Sequence, residues 1–195
     1  MCTTIVFIRH GETLWNRHKR YCGYRNIGLS ARGKLQAREL AVKLKNTHFD
    51  NIYSSDRLRA LQTAKIVFPK SKFKITPGVK EIHFGVFEGL NHQQVMKKYP
   101  VIYSRWLDDP YKTTMPKAES LINFRKRVVK TIQKIALENK DKIVAIVCHG
   151  GVISTFLNYI REGHDFWRYI PASATVSIVE QSKNKKWKII CFNKK

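Results

Sequence analysis

Short, continuous apolar runs alternate along this chain with stretches in which apolar residues recur at helical spacing. Thr4-Ile5-Val6-Phe7-Ile8 and Ile143-Val144-Ala145-Ile146-Val147 are continuous, as in strands buried on both faces of a parallel sheet. Asn51 to Ser54 and Phe73 to Ile75 predict two more strands, the latter broken by Pro77-Gly78. Between the strands, Ala37, Leu40, Ala41 and Leu44 share one helical face behind a Ser30 N-cap. Leu58, Leu61 and Ala64 predict a helix capped by Asp56. Leu121, Phe124, Val128, Ile132 and Ile135 mark a long amphipathic helix whose other face carries Lys126, Arg127, Lys130 and Lys134. Asn91 to Lys98 predicts a short helix, Val152 to Ile160 another, and Thr175 to Val179 and Trp187 to Phe192 two closing strands joined by a basic turn. Trp15 to Gly28 is irregular, and Tyr99 to Ala118 has a weak pattern, with three prolines and two adjacent aspartates. The alternation predicts an α/β fold, a three-layer α/β/α sandwich around a mostly parallel central sheet. With neither a linker nor a repeat in view, one domain is expected over 1–195.

Both long apolar runs end in histidine followed by glycine: Arg9-His10-Gly11-Glu12-Thr13 after the first, Cys148-His149-Gly150-Gly151 after the second. Ligands of open α/β sheets bind beyond the carboxyl ends of the strands. If the two strands are neighbours, His10 and His149 share a pocket with Arg9, and an imidazole pair beside a fixed cation suits a phosphate. Attack on phosphorus needs a neutral imidazole, which histidine mostly is at physiological pH, and an adjacent cation such as Arg9 disfavours its protonation. His10 is therefore the candidate nucleophile. His149 is expected to stabilise charge on the transferring group as an imidazolium or N–H donor. Gly11, Gly150 and Gly151 would let backbone N–H groups approach an anion.

Arg9-His10-Gly11-Glu12-Thr13 also resembles the signature of the histidine phosphatase superfamily, and the likeness runs from Thr4 to about Val179. It implies a phosphoglycerate mutase-like fold and a phosphohistidine intermediate on His10. Ser55-Asp56-Arg57-Leu58-Arg59-Ala60-Leu61-Gln62-Thr63-Ala64 is similar to the family block whose arginine binds phosphate, which implies that role for Arg59. Arg57 stands where the family usually has an apolar residue, as if Arg57 and Leu58 were interchanged. Lys80-Glu81-Ile82-His83-Phe84-Gly85-Val86-Phe87-Glu88-Gly89-Leu90 resembles the segment that supplies the proton-donating glutamate, implying Glu81. Glu88, before Gly-Leu, suits a structural role instead. Burial and a bound phosphate would raise the Glu81 pKa, whereas Arg9 and Arg59 would lower it, and the sequence leaves that balance open. His83 would share a strand face with Glu81. Asn16 matches a position that helps hold the phosphoryl group.

The resemblance thus implies a metal-independent phosphomonoesterase acting on a small phosphorylated metabolite. A mutase is the alternative, but the mutases have a longer insertion between the acid and the second histidine, and a C-terminal tail over the site. Here the segment from Asn91 to Ser120 is compact and the chain ends soon after Cys191-Phe192, which favours water as the acceptor. Trp106-Leu107-Asp108-Asp109-Pro110 with Pro116-Lys117-Ala118-Glu119-Ser120 looks like alpha-ribazole phosphatase, although Ala118 stands where that family commonly has glycine.

Composition adds one unusual feature. Among 195 residues, 37 Lys and Arg stand against 14 Asp and Glu, a formal net charge of +23. Lys70, Lys72 and Lys74 would share a strand face, and Lys183, Lys185, Lys186 and Lys188 surround Trp187. Basic stripes with aromatics can track nucleic acid, but no nucleic-acid-binding motif accompanies them. The charge is read as a lysine-rich solvated surface whose field speeds the arrival of anionic substrates, so the expected partner is a small phosphate ester rather than nucleic acid. The four cysteines suggest neither a disulfide framework nor a metal site, and no cofactor is called for. No apolar run approaches the ~20 residues that span a bilayer, and no leader is read at the N-terminus. A cytoplasmic protein is expected, of oligomeric state that the sequence does not set.

Overall fold

The mirrored apolar runs become neighbours. In the computed structural model, which describes residues 2–195, β1 (Thr3–Arg9) lies parallel to β4 (Ile143–Cys148), with Ile5 opposite Val144 and Arg9 opposite Cys148. In chain order the elements are β1, α1 (Leu14–Arg17), α2 (Ala31–Leu44), β2 (Asn51–Ser54), α3 (Leu58–Val67), β3 (Lys74–Ile75), α4 (His92–Lys98), α5 (Pro100–Asp108), α6 (Leu121–Glu138), β4, α7 (Gly150–Ile160), β5 (Val176–Gln181) and β6 (Trp187–Lys194). The sheet order is β3-β2-β4-β1-β5-β6. The first four strands are mutually parallel, and β5 runs antiparallel to both its neighbours.

Side-chain alternation along the central strands builds two cores. Ile5, Phe7, Val144, Ile146 and Cys148 point to the face covered by α6 and α7, where Phe124, Val128, Ile132, Ile153 and Phe156 are buried. Val6, Ile8, Ala145 and Val147 point to the opposite face, against Ala37 and Leu40 of α2 and Ala60 and Ala64 of α3. The result is the α/β/α sandwich that the pattern predicts. It also makes the crevice, because β1 sends its chain to α2 on one face and β4 sends its chain to α7 on the other.

Several local expectations are corrected. Asp56 caps nothing: α3 starts at Leu58, its N-cap is Arg57, and the Asp56 carboxylate is held by the Arg57 guanidinium at 3.1 and 2.6 Å. The third strand shrinks to Lys74–Ile75, so Lys70 and Lys72 lie outside it and the three lysines share no strand face. His83 does not share a strand with Glu81, since the segment between the 3-10 turns at Pro77–Val79 and Gly85–Phe87 is irregular. The patternless stretch after Tyr99 contains α5. Its Pro100 sits at the first helical position, where a missing N–H costs nothing, and Tyr103 and Trp106 face the core three residues apart. Ser30 does cap α2, accepting from the Gly33 N–H at 3.0 Å.

Candidate active site

His10 and His149 leave adjacent strands in register and meet with ring centroids 5.2 Å apart, edge to face. Both are buried, as are Arg59 and Glu81. His10 Nδ1 lies 2.7 Å from the Gly11 carbonyl, which can only accept. The proton of a neutral ring is therefore held on Nδ1, and Nε2 keeps its lone pair. The Arg59 Nε–H donates to that Nε2 at 3.2 Å. Burial, then the Arg59 and Arg9 charges, hold the His10 pKa well below the ordinary imidazole value. The ring is thus a neutral base whose unprotonated Nε2 accepts from Arg59.

His149 is likewise pushed well below the ordinary value, by burial first and then by Arg59, His10 and Arg9. That disfavours the imidazolium and favours the N–H donor. Its Nε2 sits 2.8 Å from the Ser55 hydroxyl, and its buried Nδ1 has no partner among the described residues. With the Ser55 hydroxyl donating to Nε2, the proton resides on Nδ1 and is available to an anion.

Arg59 is held by a loop that gave no pattern in the sequence. Its Nη2 donates to the Cys22 and Gly23 carbonyls at 3.2 and 2.9 Å, and its Nη1 to the Arg25 carbonyl at 3.1 Å. The Tyr24 carbonyl between them accepts from Arg57 Nη1 at 2.7 Å. Glu88 accepts from the Tyr24 and Arg25 N–H groups at 2.7 and 3.0 Å, in keeping with the structural role read from its place before Gly-Leu. Four consecutive carbonyls thus rest on two guanidiniums and two amides on one carboxylate.

Glu81 lies across the pocket at the amino end of α7. Its Oε2 accepts from the Gly151 N–H and its Oε1 from the Ile82 N–H, each at 3.0 Å. Burial nonetheless dominates and raises its pKa, although these two bonds and the Arg59 and Arg9 charges pull the other way. The balance left open by the sequence falls on the side of a proton donor.

The glycine expectation holds only in part. The Gly151 N–H is taken by the Glu81 carboxyl rather than left for a bound anion, and a Cβ there would lie 2.3 Å from Oε1. The Gly11 N–H is taken by Thr63 Oγ1 at 3.1 Å, and a Cβ at Gly11 would lie 2.4 Å from the Gly33 carbonyl oxygen. Gly11 therefore serves the approach of α2. A Cβ at Gly150 would lie 3.3 Å from Arg9 Cζ, so its bareness leaves room for the guanidinium.

Arg9 donates to the Pro171 carbonyl, while its shielded Nε has no partner among the described residues. The Asn16 carbonyl oxygen accepts from the Thr13 N–H and hydroxyl at 3.0 and 2.9 Å, in a capping box on α1. That bond orients the amide, which lines the pocket. His83 packs against Tyr24, with ring centroids 4.5 Å apart and planes inclined by 34°, and is not among the residues lining the pocket. The sequence missed Ser55, the carbonyls of 22–25, and a wall formed by Tyr21, Phe84, Phe166, Trp167 and Ile170. Ser55 stood in a quoted motif, whereas the wall comes from loops without periodicity.

The cavity, about 370 Å³, is lined by Arg9, Arg20, the His10 imidazole and the buried Glu81 carboxyl, while Arg59 and His149 are not among its lining residues and stand behind it, against the His10 ring. The described residues contain no helix long and apolar enough to cross a membrane.

Comparison with known proteins identifies the family. The model of the Histidine phosphatase superfamily (branch 1) matches residues 5–195. Phosphoserine phosphatase 1 of Hydrogenobacter thermophilus is 33% identical over 147 residues, covering 74% of this chain and 70% of that protein. The alpha-ribazole phosphatase of Shigella flexneri superposes with a TM-score of 0.89 at 27% identity, covering 97% of this chain and 96% of the other. The phosphoserine phosphatase of Entamoeba histolytica, solved in complex with 3-phosphoglyceric acid, gives a TM-score of 0.89 at 26% identity over 99% and 98% of the two chains. The chain therefore belongs to the histidine phosphatase superfamily, branch 1, and is a phosphatase.

Proposed function

We propose that the chain, acting as a single domain over 1–195, hydrolyses the phosphate monoester of a small metabolite without a metal, through a phosphohistidine on His10. The observation that carries this reading is the bond from His10 Nδ1 to the Gly11 carbonyl at 2.7 Å, which frees Nε2 as the nucleophile in a ring that burial keeps neutral. Nε2 attacks phosphorus and the ester P–O bond breaks. Glu81, whose pKa burial raises, gives a proton to the leaving alkoxide. The Arg9 Nε–H, the His149 Nδ1–H, the Arg59 guanidinium, the Asn16 amide and the Gly150 N–H take up the charge on the phosphoryl oxygens. Ionised Glu81 then takes a proton from water, whose oxygen attacks the phosphohistidine and returns His10 to its starting state.

Alpha-ribazole 5'-phosphate is the substrate favoured by the Trp106–Pro110 and Pro116–Ser120 segments, and a phosphatase of that name is among the structural relatives. A reducing compartment such as the cytoplasm fits four cysteines that remain free thiols. The test is turnover of p-nitrophenyl phosphate in EDTA together with covalent labelling by a radioactive phosphate ester. Wild-type protein is expected to show both, and His10→Ala neither. Activity that disappears in EDTA and returns with a divalent cation refutes the reading.

A further inference from the structure

The pocket lining is of two kinds, charged groups that suit a phosphate and an apolar, largely aromatic set of Tyr21, Phe84, Phe166, Trp167 and Ile170, of which Ile170 sits beside Arg9 and Gly150. The wall is backed by the buried Trp106 of α5, whose ring lies 5.7 Å from Tyr21, 6.1 Å from Phe84 and 5.0 Å from Trp167, each nearly edge-on. Phe166 meets Trp167 at 5.0 Å, also steeply inclined. The Tyr21 hydroxyl is occupied by Tyr103 at 2.7 Å. Buried side chains of α7 tie the Trp167 segment down, Ser154 donating to the Phe166 carbonyl at 2.5 Å and Asn158 to the Asp165 carbonyl at 2.7 Å. Trp167, clamped through two edges, remains 40% exposed.

The charges in the pocket are equally one-sided. Arg9 and Arg20 line it, and among the described residues the only carboxyl lining it is Glu81, whose two oxygens already accept backbone N–H bonds. An alcohol bearing an ammonium group, such as a phosphorylated amino acid, would find cations and no spare anion there. A flat ring would find aromatic edges and faces at van der Waals range, an arrangement aromatic pairs favour.

We propose that this wall selects phosphate monoesters whose alcohol carries an aromatic or heteroaromatic ring near the phosphate, with Trp167 as the specificity-determining residue. The inference rests on the phosphatase reading of the site above and names the class of substrate it takes.

Benzyl phosphate, n-butyl phosphate and O-phosphoserine test it, because the benzyl and butyl esters both release primary alcohols that are poor leaving groups. Wild-type protein is expected to prefer the benzyl ester by at least about tenfold in kcat/KM over either of the others, the size of one good aromatic contact with its burial. Trp167→Ala is expected to reduce the benzyl-to-butyl ratio most of the way to unity, and Trp167→Phe to restore part of it. Labelling of His10 is read in the same samples. A wild-type protein that turns over O-phosphoserine as well as benzyl phosphate, or a ratio that Trp167→Ala leaves intact, overturns the ring preference while the label keeps the mechanism standing. Turnover without any label on His10 overturns the mechanism instead.

Discussion

Replacing Gly151 by alanine perturbs the proposed acid without touching it chemically. An added Cβ would lie 2.3 Å from Glu81 Oε1, where real Cβ contacts begin at about 3.0 Å, so the carboxyl must retreat by at least 0.7 Å, the difference between the two. It cannot retreat freely, because it is buried and both oxygens are bonded, to the Gly151 and Ile82 N–H groups. Misplacing a catalytic group by about 1 Å can cost on the order of 10²-fold in rate. General acid catalysis is itself worth roughly 10²–10⁴-fold, so most of the effect should fall on esters that need the proton. The expected result is a fall of about 10² in kcat for an alkyl phosphate, with a smaller fall in the phosphoryl-transfer step for p-nitrophenyl phosphate, whose leaving group departs unprotonated. Because Glu81 also serves the second step, rapid-quench mixing with p-nitrophenyl phosphate should reveal a burst of phenolate and accumulating phosphohistidine. A double-mutant cycle provides the decisive control. In a Glu81→Ala background there is no carboxyl to displace, so Gly151→Ala should cost little more. An equal loss in both backgrounds refutes the reasoning and makes the glycine's effect one of packing alone.

Three other outcomes follow from the same geometry. His10 and His149 have folded pKa values well below the ordinary 6.5, so the unfolded chain binds protons that the native chain refuses. Their contribution to stability is present above the unfolded pKa and is lost as pH falls below it, by at most about 1.4 kcal/mol per pH unit for each ring. Glu81, raised on folding, works the other way. Tm should therefore fall between about pH 7 and pH 5, more steeply in Glu81→Gln and less steeply in His149→Asn, and a flat profile in all three proteins would contradict the assignment. Arg57→Leu removes the bond to the Tyr24 carbonyl and so loosens the loop that holds Arg59. KM for phosphate esters and the inhibition constant of inorganic phosphate should both rise roughly tenfold, the value of one charged hydrogen bond, with a smaller change in kcat. An inhibition constant unchanged from wild type counts against the clamp. The net charge of +23 should make kcat/KM fall with added salt while kcat holds. Tight, steeply salt-dependent retardation of DNA or RNA in a gel would instead make nucleic acid the partner of the basic surface.

The parts of this molecule that could be read in the sequence are those in which one residue's neighbours along the chain are also its neighbours in space. The strand-to-histidine junctions are of that kind, and they carried His10, Arg9 and His149 together with the parallel pairing of β1 and β4. Glu81 and Arg59 were legible only as matches to family blocks, since nothing local to either foretells that β2, α7 and two loops will bring them to His10. Long-range closure hid the rest. The carbonyls of Cys22, Gly23 and Arg25 become ligands of Arg59 only after a chain separation of 34 to 37 positions has folded back. Helix α5 was obscured by its prolines, although Pro100 starts the helix rather than breaking it. Asp56 was credited with a cap because it precedes a helical pattern, but the Arg57 guanidinium competes successfully for its carboxylate. The charge of the two histidines and the glutamate depends on burial, which only the assembled fold determines.

The ladder between β1 and β4 has a consequence for how the molecule opens. It does not stop at the strand end, where the His10 N–H donates to the Cys148 carbonyl at 3.0 Å, and the ladder between β2 and β4 on the other side runs on likewise, the Ser55 N–H donating to the Val147 carbonyl at 2.9 Å. The amides carrying the nucleophile and the hydroxyl that orients His149 are therefore the last rungs of the central sheet. In hydrogen-exchange terms they belong to the cooperative unit of the central sheet, whereas the loop bearing Trp167 lies outside that ladder, held by the Ser154 and Asn158 side chains and by the buried Phe166. The wall that meets the alcohol can thus change in sequence at a cost separate from that of the groups that meet phosphorus.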